Sequence, residues 1–345
     1  MARITIKDIA QKANVSIATV SRVINGNPTV TPETHERVMS VIMQTGYYPN
    51  QLARSLKATS SKTIGVIIPD LTNEYIAQIV SIIDGYVQTK GYSLILSTAI
   101  NGAQSEINSL RLMMEKQVDG IIINTTGFND AYISEISQHV PIVLLHRKIE
   151  HPDFRGDWVD TDIYNCAYTL TKLLVERGHR KIGVLNGPSH LSTAKMRYDG
   201  FCTALHEYGL SFSKENPYYY EGDFTLQSGC DGAQYFMDMK DPPTAIVNMH
   251  GESTLGMLRY FRNHGVRIPE DISLVSISAI PHSDVLYVRP YHYKMFPETV
   301  GYRAAHMILE RIEADNKLQN RESCFSMPIV NGDSIKDLRK ASETC

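Results

Sequence analysis

The stretch NVSIATVSRVINGN, residues 14–27, decides how the front of this chain is read. Ser16 can cap a helix that runs to about Ile24, with Val20, Val23 and Ile24 turned inward. Upstream, Thr5 can cap a first helix with Asp8 three residues on, a capping-box-like start that places Ile6, Ile9, Ala10 and Ala13 on one face. Downstream, Thr31 and Pro32 form a cap followed by proline at the first helical position. Val38, Val41 and Ile42 then make a third helix amphipathic, and Gly46 stops it. Only Ala13-Asn14-Val15 separates the first two helices, and small Ala10 lets them approach closely. Three short helices with so short a turn fit a helix-turn-helix unit, whose second helix pushes its N-terminal end into a DNA major groove.

Burial of Val20, Val23 and Ile24 leaves Ile17, Ala18, Ser21 and Arg22 on the outer face of the second helix. Arg22 can fork onto guanine O6 and N7, and Ile17 and Ala18 can meet a thymine methyl. Ser16, Thr19 and Asn25 are placed to bond phosphates, which positions the helix without reading sequence. A small helical cap with surface hydroxyls is the plain alternative for this helix pair taken alone.

Charge supports the first reading. The net charge is −3, yet residues 1–60 carry seven Lys/Arg against three acids, so a head of +4 sits on a body of −7. A basic module on an acidic body points to a polyanion-binding head attached to something with another job. At 345 residues, 43% hydrophobic and 21% charged, the chain should form two or three soluble domains. No apolar run approaches the roughly 20 residues of a membrane helix, and MARITIKDIA has no apolar signal region. Five widely spaced cysteines without C-x-x-C argue against a disulfide framework and against zinc, and fit a reducing cytoplasm.

Past the head, Asn50 to Lys57 reads as a two-turn helix followed by a polar Ala-Thr-Ser-Ser linker. So short a helix is marginal alone and should order only when something packs on it. From Lys62 the texture changes to short apolar runs, TIGVIIPD, YSLILST, VDGIIIN and VPIVLLH, separated by helical stretches near 74–90, 104–117 and 130–138. The pattern repeats with KIGVLNG, PTAIVNM and DISLVSIS, and helices near 163–177, 192–209, 225–238 and 252–264. This predicts two successive α/β subdomains, each a doubly wound parallel sheet. A last helix near 298–313 and a last strand near 325–330 return to complete them. The expected boundaries are 1–49 for the head and 50–61 for the hinge and linker. The first core subdomain is 62–161 plus about 291–320, and the second is 162–290 plus about 321–340.

Residues 5–57 resemble the DNA-binding head of the LacI/GalR family of bacterial transcription regulators. IGVIIPDLTN, VDGIII, RGHRKIGVLNGP, EGDFTLQSG and PPTAI resemble that family's periplasmic-binding-protein-like core, so the resemblance spans nearly the whole chain. It implies a homodimer whose two heads read a pseudo-palindromic operator in double-stranded DNA, usually as a repressor. Leu56 would wedge between base pairs in the minor groove, Ala53 would sit at the contact between paired hinge helices, and Arg54 and Lys57 would meet phosphates. Thr5 and Asn50 complete the residues expected at DNA.

The resemblance also places a small-molecule effector in the cleft between the subdomains, with Asn73, Tyr75, Thr193, Arg197 and Phe224 at retained positions. Arg197 matches a ligand-bonding arginine, and Phe224 would stack on a ring. Three acidic positions are changed. The family's Asp-Arg after the fourth strand is His146-Arg147 here, its Asn-Asp after TAI becomes His250-Gly251, and its paired acids after the next strand become Ser278-Ala279. Losing those carboxylates beside Arg147, Lys148 and Arg197 implies a more positive cleft and an anionic effector, a sugar acid or sugar phosphate. Satisfied strand-end histidines in a drifted site are the alternative. No cofactor is expected. No G-x-G-x-x-G opens a helix after a strand, and P-loop and G-x-S-x-G motifs are absent, which argues against an enzyme. His179 reads as a helix-end or loop residue rather than a catalyst. A sugar-binding protein without DNA-directed regulation is the remaining alternative.

Overall fold

The computed structural model describes residues 4–24, 26–47, 60–100 and 102–339, and divides into two units, residues 1–61 and 62–345. In the first unit, α1 (Ile6–Lys12), α2 (Ile17–Ile24) and α3 (Pro32–Thr45) match the three expected helices. The Thr5 N–H and hydroxyl both donate to Asp8 Oδ2 at 2.7 Å, and these bonds hold the Asp8 carboxyl below its ordinary range. Ile9, Ala10, Ala13, Val20, Val23, Val38 and Tyr47 form the head's core. Asn14 makes the turn between α1 and α2 with a left-handed backbone (φ 50°), which asparagine tolerates better than most residues. Gly46 ends α3 at φ 60° and donates its N–H to the Ile42 carbonyl.

The second unit contains two six-stranded sheets. In chain order its elements begin with β1 (Thr63–Ile68), α4 (Glu74–Thr89), β2 (Ser93–Thr98), α5 (Ala103–Glu115), β3 (Gly120–Ile123), α6 (Asp130–Ser137), β4 (Ile142–Leu145) and β5 (Asp157–Thr161). There follow α7 (Ile163–Glu176), β6 (Ile182–Asn186), α8 (Ser192–Glu207), β7 (Tyr219–Glu221), α9 (Leu226–Met237), β8 (Ala245–Asn248), α10 (Gly251–Asn263) and β9 (Ser273–Ser276). The last elements are β10 (Tyr291–Tyr293), α11 (Pro297–Glu313), β11 (Glu322–Phe325) and β12 (Ile329–Val330). The first sheet has the order β11-β5-β4-β3-β1-β2 and the second β12-β10-β9-β8-β6-β7. Every pairing is parallel except β10 with β12. Both faces of each sheet are covered. On β1, for example, Ile64, Val66 and Ile68 enter one apolar cluster while Ile67 enters the other. That double burial is why the strands read as continuous apolar runs.

The subdomain boundaries need correction at the C-terminal end. Strand 291–293, expected with the first subdomain, pairs with β9 in the second sheet, whereas 322–325, expected with the second, pairs with β5 in the first. The single strand expected near 325–330 is two strands, one per sheet. The chain thus crosses between subdomains three times. β5 itself was not anticipated, because DWVDT carries two aspartates in five residues and fits no apolar-run template. Asp157 is fully buried there and accepts hydrogen bonds from Arg311, also fully buried, and from Arg321. This cluster fastens α11 and the return strand β11 to β5.

Candidate functional site

On the head, the Thr19 N–H donates to Ser16 Oγ at 3.1 Å and the two hydroxyls lie 2.9 Å apart. Ser16 is therefore the cap of α2, and both hydroxyls already have a partner in one another. Replacing Ser16 by Ala should destabilise the head by about 1 kcal/mol, read by thermal melting. Ile17 is 44% exposed, and Ala18 and Arg22 are exposed beside it, so the apolar and guanidinium groups expected at bases share the outer face of α2. Ser21 is half-buried. Asn25, Asn50, Ala53, Arg54, Leu56 and Lys57 lie outside the described residues.

In the second unit, the expected effector residues fall at the carboxyl ends of the parallel strands, where open α/β sheets bind ligands. Arg197, on the second turn of α8, lies over the Phe224 ring at 5.1 Å, and Phe224 meets His250 at 4.9 Å between ring centres. Phe224 has φ 71° and lies against Gly187, where an added Cβ would come within 1.9 Å of the ring. Gly187→Ala should therefore expel the Phe224 ring from its place against residue 187, read as a change in near-ultraviolet circular dichroism. Tyr75 and His146 are in ring contact at 5.6 Å. Arg147 Nη1 donates to the Thr125 carbonyl at 2.5 Å. The Asn73 side chain caps α4 by accepting from the Ile76 N–H at 3.3 Å, and Thr193 is buried in the first turn of α8. Ser278 follows β9, its Oγ buried.

A concentration of buried polar atoms marks this region. Among the described residues, Tyr75 Oη, His146 Nε2, Arg197 Nε and Nη1, His250 Nδ1 and Ser278 Oγ have no hydrogen-bond partner in the protein. Asn124 Oδ1, Asp160 Oδ2, Asn186 Oδ1 and Asn248 Nδ2 are in the same condition. Native proteins leave few such groups unsatisfied, so a cluster of them at strand ends marks a candidate binding site.

The electrostatics revise the expected positive cleft. Burial, with the charge of Arg197, pushes His250 down to about 3, so it is neutral at pH 7. Lys148 points elsewhere, bonded to Glu322 at 2.7 Å and lying over Trp158 at 4.1 Å. Arg147 and Arg197 remain. Burial pushes each down to about 10, which keeps them charged at neutral pH; Arg197 adds to the shift of Arg147, and Asp160 opposes that of Arg197. Burial also raises the Tyr75 phenol, so it stays protonated. Asp160 was missed by sequence reasoning. It is 1% exposed, and its Oδ1 lies 2.6 Å from His146 Nδ1. The asparagines were missed too, although their signal is visible: three apolar strand runs, GIII, IGVL and AIV, each end in Asn, at 124, 186 and 248.

Contacts between the subdomains frame the region. The Lys148 N–H donates to Ser192 Oγ at 2.8 Å, and Phe128 stacks on His190 at 4.2 Å. Fully buried Glu106 holds the Phe128 loop by accepting from the Thr126 N–H and hydroxyl and from Asn129 Nδ2 at 2.6–2.8 Å. His179 is buried and bonded to Thr244 and the Lys336 carbonyl, a structural role.

Residues 5–50 match the family described as bacterial regulatory proteins, lacI family, and residues 61–329 match periplasmic binding proteins and sugar binding domain of LacI family. The chain belongs to the LacI family. Among its relatives is the HTH-type transcriptional repressor PurR of Photobacterium profundum, 30% identical over 339 residues, covering 97% of this chain and 99% of that protein. PurR of Erwinia tasmaniensis is 33% identical over 313 residues, covering 89% and 90%. Among solved structures, the Lac repressor dimer bound to operator and an anti-inducer matches with a TM-score of 0.81 at 23% identity, covering 96% of this chain and 99% of that one. The cellobiose complex of the regulator CelR matches with a TM-score of 0.69 at 24% identity, covering 96% and 100%. These structural likenesses establish the LacI-family fold. The family match of the head and the PurR relatives make this chain a DNA-binding transcriptional regulator.

Proposed function

We propose that the chain is a homodimeric repressor whose paired heads grip a pseudo-palindromic operator and whose cleft binds a polyhydroxylated acid, a sugar acid or sugar phosphate, as effector. The observation that carries the effector reading is Arg197, whose buried Nε and Nη1 have no partner in the protein. A guanidinium so placed offers buried, charged N–H donors that suit the oxygens of a carboxylate or phosphate. The acceptors Asp160 Oδ2, Asn124 Oδ1 and Asn186 Oδ1 suit hydroxyl donors, so a simple inorganic anion would leave much of the pattern unsatisfied. The flat Phe224 ring offers a face for a sugar ring. Calorimetry with uronates, aldonates and sugar phosphates alongside neutral hexoses tests this; tighter binding of the neutral sugars overturns the anionic class.

For the DNA arm, Arg22→Ala should cost about 1–3 kcal/mol at one base pair and relax specificity there, measured by anisotropy on a set of single-base operator variants. Equal losses on all variants would show that Arg22 touches only phosphate.

A further inference from the structure

We propose that Asp160, paired with His146, is the cleft's specificity-determining carboxylate and reads two hydroxyls of the effector. This rests on the effector reading above. His146 follows β4, and the carboxylate against it is Asp160, near the end of the neighbouring strand β5.

The pair is built rather than incidental. His146 has a left-handed backbone, φ 60°, which costs energy for a residue with a Cβ. Three bonds fix it there. Its N–H donates to the Val159 carbonyl at 3.0 Å, its carbonyl accepts from Trp158 Nε1 at 2.9 Å, and its ring Nδ1 bonds Asp160 Oδ1 at 2.6 Å. The last two anchors flank Val159 on β5, so one short strand sets both the backbone and the ring. That strand also explains why DWVDT departs from an apolar run: Trp158 and Asp160 hold His146, and Asp157 holds α11.

The ring bond assigns roles. The Asp160 carboxylate can only accept, so His146 Nδ1 carries the hydrogen of that bond and Nε2 is left for another partner. Asp160 Oδ2 and His146 Nε2 are both buried and without a partner in the protein. A hydroxyl can donate to Oδ2, and a second hydroxyl, which both donates and accepts, can bond Nε2, so the pair selects two hydroxyls. A carboxylate effector oxygen at the same place would meet the Asp160 charge directly, so the acid group is driven to Arg197, and the pair sets the effector's orientation as well as its hydroxyl content.

Trp158 is the chain's one tryptophan and bonds the His146 carbonyl, so its fluorescence reports on this corner. Titrations of the full-length protein followed at Trp158 would use glucuronate, galacturonate and gluconate, with singly deoxygenated versions of whichever binds. Asp160→Asn should weaken the best acid at least tenfold. One deoxy analogue should bind wild type at least tenfold more weakly than its parent, yet bind Asp160→Asn no worse than the parent does. A merely structural role would make the two losses multiply, which overturns the proposal. His146→Asp should move preference toward neutral hexoses; if Asp160→Asn does not fold, this variant carries the test, and unchanged preference overturns it. Wild type that binds the acids while Asp160→Asn binds them equally well defeats the hydroxyl reading alone. Wild type that binds neither these acids nor hexose 6-phosphates defeats the effector reading and this one with it.

Discussion

Arg311→Met is expected to destabilise the core by about 3–5 kcal/mol, the cost of removing one partner from a buried charge pair. Arg311 has no exposed side-chain area, and its guanidinium makes five bonds: two to Asp157, one to Asn316 and one each to the carbonyls of Leu318 and Gln319. Losing it strands those carbonyls and leaves Asp157 to Arg321 alone, which bonds it at 2.7 Å and also holds Glu310. The readout is urea unfolding of the variant against wild type. The same cluster predicts acid sensitivity. Burial pushes the Asp157 carboxyl up, but the bonds and charges of Arg311 and Arg321 outweigh it and hold the group below its ordinary range. A depressed carboxylate contributes stability that is complete above its unfolded value, near 4, and is lost as pH falls through the lower folded value. In Arg311→Met that loss should begin at higher pH, because the folded value rises. An unchanged acid limb would mean that Arg321 alone sets the titration of Asp157.

Much of this architecture was legible in the sequence because caps and apolar runs are local signals. Ser16, Thr31 and Gly46 marked helix ends, and TIGVII and GIII marked buried strands, since a strand covered on both faces has no polar alternation to blur it. β5 was illegible for a physical reason: its two aspartates are stabilised by partners far along the chain, Arg311 and Arg321 for one and His146 for the other, and no local pattern encodes such pairing. The assignment of 291–293 and 322–325 to opposite sheets was hidden likewise, because strands of three or four residues carry no label for the sheet they join. At the candidate cleft, residue-by-residue resemblance named Arg197, Phe224 and Tyr75. It overstated the positive charge, since it could not show Lys148 bonded to Glu322 or Asp160 returning a carboxylate from the next strand.

Arg197→Met should separate ligand recognition from DNA recognition. Truncating one side of a buried charge-assisted bond costs about 2–5 kcal/mol, so the affinity for an acidic effector should fall roughly 10²-fold or more. Lysine should not rescue it, because a single ammonium on a flexible stem cannot reproduce the planar, spread set of guanidinium donors. Operator affinity without effector should be unchanged, since the substitution lies in the core unit and not on the head. Stability supplies the control. In the effector-free protein the buried Nε and Nη1 have no protein partner, and an unsatisfied buried donor is a cost. Methionine removes that cost, offset by the lost guanidinium contact with the Phe224 ring and the lost attraction to Asp160. The variant should therefore melt near or above wild type while losing the stabilisation that an acidic effector gives by mass action. A variant that melts well below wild type would instead make Arg197 a structural residue, with its unpartnered nitrogens serving the fold rather than a ligand.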